Sequence, residues 1–153
     1  MQEDKNHFNV VVVGAGISGI GAGYNLQKKC PNKSFVILEG RESFGGTWDL
    51  FRYPGIRSDS DMHTMGFRFK PWVDKRYIAD GPSILNYLEE TISENNLKDR
   101  IRYKHKVLSS SWSSSKSQWN LEVMNLDSEN IESFSCSFLL LCGGYYNYDE
   151  GYN

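Results

Sequence analysis

The sequence has 153 residues, of which 39% are hydrophobic and 24% charged, and this is the size and composition of one globular domain. Seventeen Lys and Arg residues against 19 Asp and Glu residues give a formal charge of −2, so no basic excess favours nucleic acid as a partner. The longest apolar run, residues 10–22, is glycine-rich and shorter than the ~20 residues of a transmembrane helix, and residues 2–6 lack the basic-then-apolar layout of a signal peptide. We therefore expect a cytoplasmic protein without a transmembrane segment.

The first predicted elements are a strand, a helix and a second strand. Residues 10–13 are four consecutive valines, a pattern typical of a central parallel strand that is covered on both faces. A helical pattern follows from about Ser18 to Lys29, and the apolar run 35–38 then ends at Glu39. Strand, helix and strand within about 30 residues form a βαβ unit.

The second half of the sequence predicts a mixed sheet. Residues 40–79 have no regular period, and a loop of that length inside a compact domain is usually functional. Asp80, Gly81 and Pro82 indicate the start of a helix that ends near Asn96. Three extended segments suggest an antiparallel meander: residues 101–108, 119–124 and 131–136. The apolar run at residues 138–141 suggests another central parallel strand.

The segment from Gly14 to Gly19 has the pattern GxGxxG, which alone is a weak signal. Its context strengthens it, because it follows a strand, opens a helix, and precedes the acidic Glu39 by twenty residues. Gly14 makes the tight turn, Gly16 lets the backbone approach a pyrophosphate, and Gly19 allows helix and strand to pack. Glu39 would accept hydrogen bonds from a ribose. The alternative is a glycine turn that binds nothing. The candidate contacts are Gly14, Gly16, Ile17, Ser18, Gly19 and Glu39.

Residues 45–59 carry a second motif, GGTWDLFRYPGIRSD. At every defined position it resembles the signature (A/G)GxWxxxx(F/Y)P(G/M)xxxD of the Baeyer–Villiger monooxygenases, which are class B flavoprotein monooxygenases. The following residues, 58–72, are most similar to the ethionamide-activating type. The resemblance extends from Val10 to Tyr152 and implies an α/β, Rossmann-like FAD/NAD(P)-binding fold. Its parallel sheet would carry an antiparallel β-meander and would be incomplete at the C-terminus.

The resemblance implies FAD bound through the GxGxxG motif and NADPH bound through a second nucleotide-binding domain. The parent protein would then use NADPH and O2 to oxygenate a small molecule, either a ketone or a sulfur or nitrogen compound. The glycines at the start of the second motif leave room for a diphosphate or a flat ring, and Trp48 can cover one side of it. Gly46, Thr47 and Trp48 are therefore further candidate FAD contacts.

Three more candidate residues come from the resemblance. Asp59 matches an acidic residue that lies near the flavin and pairs with an arginine of the later domain, which makes it the candidate catalytic residue. Its alternative role is a loop carboxylate that caps backbone amides. Val107 matches a position that presents its backbone to the adenine, although plain core packing is an equal alternative. Gly143 follows the last apolar run and matches the segment that closes the diphosphate site. Arg52 and Arg57 are expected to form local ion pairs.

The family's other signature, FxGxxxHxxxW, and a second GxGxxG do not occur before Asn153. We therefore expect residues 1–153 to be an N-terminal FAD-binding domain, a fragment that is inactive in isolation. The aromatic C-terminus indicates contacts with further protein rather than with a cofactor. It contains Tyr145, Tyr146, Tyr148 and Tyr152.

Two other functions remain open. One is a nucleotide-binding remnant without turnover. The other is a flavin disulfide reductase, which shares the first motif and the meander but needs a redox-active cysteine pair near the flavin. Cys30, Cys136 and Cys142 are far apart in sequence, and we expect them to be reduced, buried thiols. They also lack metal-ligand spacing, so no metal site is predicted.

Overall fold

A computed structural model describes residues 6–146 as one six-stranded sheet with helices on one face. Among these residues, no helix is long and apolar enough to cross a membrane. Tyr148 and Tyr152 lie outside the described residues. The strands are β1 His7–Val13, β2 Phe35–Leu38, β3 Ile101–Arg102, β4 His105–Ser113, β5 Gln118–Asn125 and β6 Asn130–Leu141. The helices are α1 Ile17–Lys29, α2 Thr47–Leu50, α3 Met62–Met65 and α4 Gly81–Glu94, with a 3-10 turn at Lys98–Arg100.

The strand order is β3-β2-β1-β6-β5-β4. Pairs β3–β2, β2–β1 and β1–β6 are parallel, while β6–β5 and β5–β4 are antiparallel, so the predicted parallel sheet with a meander is confirmed. Val11 and Val12 of β1 are fully buried, as the run of valines predicts for a strand covered on both faces.

Strand β6 differs from the prediction of two separate strands at 131–136 and 138–141. It is one continuous strand, whose first part pairs with β5 and whose last part pairs with β1. Ser137 between the two apolar runs is exposed, so it interrupts the apolar pattern without interrupting the backbone. The expected meander strand and the expected central strand are therefore the same strand.

Two apolar layers enclose the sheet. On the helical face, Ile20 of α1 and Ile84 and Leu88 of α4 are fully buried and pack with the side chains of β1 and β2. On the opposite face, the curled meander covers the central strands with Leu121 and Phe134. Both faces of the central strands are thereby shielded from water, which leaves their carboxyl ends as the open edge.

The long segment 40–79 contains two one-turn helices, α2 and α3, and packs on α1 through aromatic rings. Phe69 stacks on Tyr24 with ring centroids 3.5 Å apart, and Phe67 stacks on Phe69 at 4.8 Å. A Cβ on Gly21 would lie 2.8 Å from the Phe67 ring, so this glycine makes room for the segment. The weak helical propensity of α1 is therefore offset by close packing.

Helix α4 begins at the predicted cap, because the Asp80 carboxylate accepts a hydrogen bond from the Ser83 amide at 2.8 Å. The hydrogen bonds from Ser83 lower the pKa of Asp80. Asp80→Ala is expected to reduce the free energy of unfolding by about 1 kcal/mol in chemical denaturation, whereas Asp80→Asn keeps the cap. Since the folded pKa is depressed, the stabilisation is present above a pH of about 4 and is lost as the pH falls through the folded value. An unchanged stability of Asp80→Ala would contradict a capping role.

Candidate functional site

A cleft of about 500 Å³ lies at the carboxyl ends of β1, β2 and β6. The sheet is extended by β2 on one side of β1 and by β6 on the other. In open α/β sheets ligands bind at this place, outside the carboxyl ends of the strands where the connections diverge. Most of the predicted site residues line the cleft: Gly14, Gly16, Ile17, Ser18, Glu39, Gly46, Thr47, Trp48, Val107 and Gly143.

The turn after β1 requires two of its glycines. Gly14 has a φ of +103°, and a Cβ there would lie 2.4 Å from the backbone oxygen of Cys142. A Cβ on Gly19 would lie 1.8 Å from the backbone oxygen of Gly14. Gly19 therefore allows α1 to pack on the turn, and it does not line the cleft.

The two glycine motifs meet through their backbones. A Cβ on Gly46, whose φ is +54°, would lie 3.2 Å from the Gly16 Cα, and the Gly45 amide donates to the Ala15 carbonyl at 2.9 Å. Helix α1 starts directly after Gly16 without a side-chain cap or an acidic residue in its first turn. The positive end of α1 is therefore presented to the cleft beside Gly16 and Gly46, which carry no side chains.

Glu39 is buried, with 8% of its surface exposed, and its carboxylate already holds two backbone amides. One oxygen accepts from the Ala15 amide at 2.7 Å, and the other from the Arg41 amide at 3.0 Å. Each oxygen retains a further acceptor position for a ligand hydroxyl. The sequence pattern predicts a ribose contact at Glu39 and does not reveal this second task, which fixes the turn that follows β1. The nearby Tyr103 is itself partly buried, and this burial together with the negative charge of Glu39 raises the pKa of Tyr103.

The remaining predicted contacts occupy other walls of the cleft. Trp48 is partly buried against the helical core. Val107 lies where the β4–β5 register shifts, and it both lines the cleft and packs against the meander core. Gly143 is on the open side, where an added Cβ would meet nothing within 4 Å. Both interpretations of Val107 remain compatible with this position.

Several residues that line the cleft were not predicted as cofactor contacts. Tyr145 and Tyr146 lie there, although the aromatic C-terminus is predicted to contact further protein rather than a cofactor. Arg41, His105 and Lys106 add polar groups. For Arg41 the available signal was its place two residues after Glu39, in the loop that leaves β2.

Asp49 is a buried carboxylate that joins two arginines. Its Oδ2 atom lies 2.7 Å from an amino nitrogen of Arg41, and its Oδ1 atom pairs with Arg52. Arg52 therefore forms the local ion pair that was predicted for it, with a side chain that is 70% exposed. Arg57 instead lines a shallow surface depression together with Asp59.

Asp59 is exposed and does not line the cleft. The depression that it lines is formed with Tyr53, Arg57 and Ile78. The structure therefore does not bring Asp59 together with the other predicted site residues, and its catalytic role stays a prediction.

The three cysteines are all free. Cys30 is exposed at the end of α1, so the expectation of a buried thiol is wrong there, while Cys136 is buried. Cys142 is half-buried and lines the cleft alone, and burial raises the pKa of its thiol. A cysteine pair of the kind that a flavin disulfide reductase uses is therefore not assembled at this cleft. Within residues 6–146, no group of three potential ligands is arranged to hold a metal ion.

The fold and the cleft define a Rossmann-like nucleotide-binding unit. In agreement, the family model of the NAD(P)-binding Rossmann-like domain matches residues 12–77. The chain is 56% identical over 147 residues to the FAD-containing monooxygenase EthA of Mycolicibacterium smegmatis. It is 54% identical over 148 residues to the probable FAD-binding monooxygenase AlmA of an Acinetobacter species. These matches cover 96% and 97% of the chain, and the chain spans 30% of the length of each relative.

The structure agrees with this relationship. A steroid monooxygenase bound to NADP superposes with a TM-score of 0.80 at 27% sequence identity, over 92% of this chain and 27% of that protein. The chain is therefore homologous to part of the FAD-containing monooxygenases. The resemblance to flavin monooxygenases that its two glycine motifs indicate is confirmed.

Proposed function

We propose that this chain is the FAD-binding part of an NADPH- and O2-dependent flavin monooxygenase that acts in the cytoplasm. The observation that carries the proposal is the single cleft in which both glycine motifs and Glu39 meet. The names of the sequence relatives support the choice of FAD and of monooxygenation. The proposed substrate is a small ketone or a sulfur or nitrogen compound, with O2 as the second substrate.

The residues of the cleft fit the parts of FAD. The uncapped start of α1 offers backbone amides and a positive helix end to a diphosphate. The absence of side chains at Gly16 and Gly46 lets that diphosphate lie close to both backbones. Glu39 has acceptor positions left for the two ribose hydroxyls. Trp48 offers a flat apolar wall.

FAD supplies the hydride and oxygen chemistry when it is bound, and the protein orients and shields it. In this proposal Gly14 and Glu39 fix the turn on which the diphosphate lies, and the segment from Gly46 to Trp48 encloses it. The sequence contains one GxGxxG motif, so we assign NADPH to a second nucleotide site that these residues do not provide.

The direct test is a titration of the flavin-free 153-residue chain with FAD and with riboflavin, followed by flavin fluorescence. We expect FAD to bind at least about 10-fold more tightly than riboflavin, because one charged hydrogen bond to the ribose already contributes roughly 1.5–3 kcal/mol. Equal affinity for the two flavins, or no binding of either, would contradict the proposal that the cleft recognises a flavin dinucleotide.

The catalytic proposal for Asp59 is tested in a longer protein that contains this chain. Asp59→Ala is expected to retain bound flavin and to lose product formation, because a carboxylate that organises an active-site arginine acts on turnover rather than on cofactor retention. Asp61→Asn is the matched control, since it removes a neighbouring charge while an asparagine keeps the cap of α3. Loss of FAD with normal activity per bound flavin would make Asp59 a structural cap. Normal turnover with normal FAD would contradict any catalytic role.

A further inference from the structure

Arg41 lies at the rim of the cleft with its guanidinium group held from behind. One amino nitrogen is 2.7 Å from the Asp49 carboxylate, and the other donates to the Gly46 carbonyl oxygen at 3.3 Å. A guanidinium group has five N–H donors, so these two contacts leave three donors for other partners. The side chain is 40% exposed and lines the cleft. The guanidinium group of Arg41 is therefore held in a fixed orientation and still has N–H donors for a ligand in the cleft.

The charges of the cluster formed by Arg41, Asp49 and Arg52 do not cancel. Asp49 is the single carboxylate between Arg41 and Arg52, so the three side chains together carry one surplus positive charge. The Asp49 side chain is only 8% exposed, and Ser43 also donates to it, which fixes the cluster. A partly desolvated cation is a stronger partner for an anion than a fully hydrated one.

The position of this charge matches one part of a dinucleotide. The Arg41 contact with Gly46 places the guanidinium group beside the segment that faces Gly16 and the start of α1. Glu39, two residues earlier, occupies the place of a ribose contact. A planar guanidinium group binds phosphate oxygens with paired hydrogen bonds, which a backbone turn alone cannot supply.

We propose that Arg41 binds the diphosphate of the dinucleotide and that Asp49 positions Arg41 for this contact. This inference rests on the proposed function, because it requires a dinucleotide in the cleft. It adds a side-chain cation to a site that the glycine motifs describe only through backbone groups.

The test compares Arg41→Gln, Arg41→Lys and Arg52→Gln in the 153-residue chain. Arg52→Gln is the matched control, because it removes the same charge and the other partner of Asp49 from a residue that does not line the cleft. Arg41→Gln is expected to weaken FAD binding roughly 10- to 100-fold, Arg41→Lys less, and Arg52→Gln less than about 3-fold. Thermal unfolding of the flavin-free variants shows whether they fold equally well.

Competition against FAD with ADP and with adenosine identifies the part that Arg41 contacts. Arg41→Gln should weaken the binding of ADP and leave the affinity for adenosine unchanged. Equal losses for ADP and adenosine, or equal losses of FAD affinity in Arg41→Gln and Arg52→Gln, would overturn the inference. Unchanged FAD affinity in Arg41→Gln would also overturn it while leaving the proposed function intact. A wild-type chain that binds no FAD would contradict the proposed function itself.

Discussion

Gly19→Ala is expected to abolish FAD binding and to lower the thermal stability of the chain. The added Cβ would lie 1.8 Å from the Gly14 backbone oxygen and 2.9 Å from its carbonyl carbon. Backbone atoms cannot move aside as the end of a flexible side chain can, so α1 must shift away from the turn after β1. Overpacking of this kind destabilises a protein by ~1–3 kcal/mol, which corresponds to a decrease of roughly 2–12 °C in Tm for a chain of this size.

Calorimetry and FAD titration measure the two effects. Gly143→Ala is the matched control for stability, because its Cβ would meet nothing within 4 Å. It should unfold at the wild-type temperature. If Gly19→Ala binds FAD as tightly as the wild type, then the close contact between α1 and the turn does not shape the binding site.

Glu39→Ala is expected to weaken FAD binding about 10- to 100-fold, the effect of losing a hydrogen bond to a charged group of ~1.5–3 kcal/mol. The structure adds a second effect, since the Ala15 and Arg41 amides lose their acceptor. A buried donor left without a partner costs about 1–3 kcal/mol, so the flavin-free variant should also unfold at a lower temperature.

Glu39→Gln separates the two tasks of this side chain. The amide oxygen can still accept from one backbone amide, so its stability should lie between those of Glu39→Ala and the wild type. Unchanged FAD affinity in both variants would show that Glu39 only holds the turn and that the ribose assignment is wrong. A loss of FAD affinity without any loss of stability would show that Glu39 contacts the ribose and does not hold the turn.

Local patterns were sufficient to predict the βαβ unit and α4. A run of four valines can be buried only in a strand covered on both sides, and Asp80 and Pro82 mark a helix start through bonds within one turn. The glycine spacing and Glu39 likewise predicted five residues that line the cleft, because their positions follow from the ends of two neighbouring strands: Gly14, Gly16, Ile17, Ser18 and Glu39.

Features that depend on contacts between distant segments were not predicted. The Asp49 cluster forms only when the segment after β2 folds back. The place of Arg41 two residues after Glu39 therefore indicates that it lies near the cleft, but not that Asp49 and Gly46 hold its guanidinium group. The exposed Ser137 concealed the continuity of β6. Asp59 was assigned by resemblance alone, and within the described residues it lies apart from the cleft.

The continuity of β6 limits how the chain can vary. Side chains alternate between the two faces of a strand, so one residue inserted next to Ser137 would either reverse every later side chain or force a bulge. Reversal would exchange Leu140, which faces the helical core, with its exposed neighbour Leu141 beside the cleft. An insertion within β6 would therefore alter the wall of the cleft that Leu141 lines from more than ten ångströms away, at about 3.3 Å per residue.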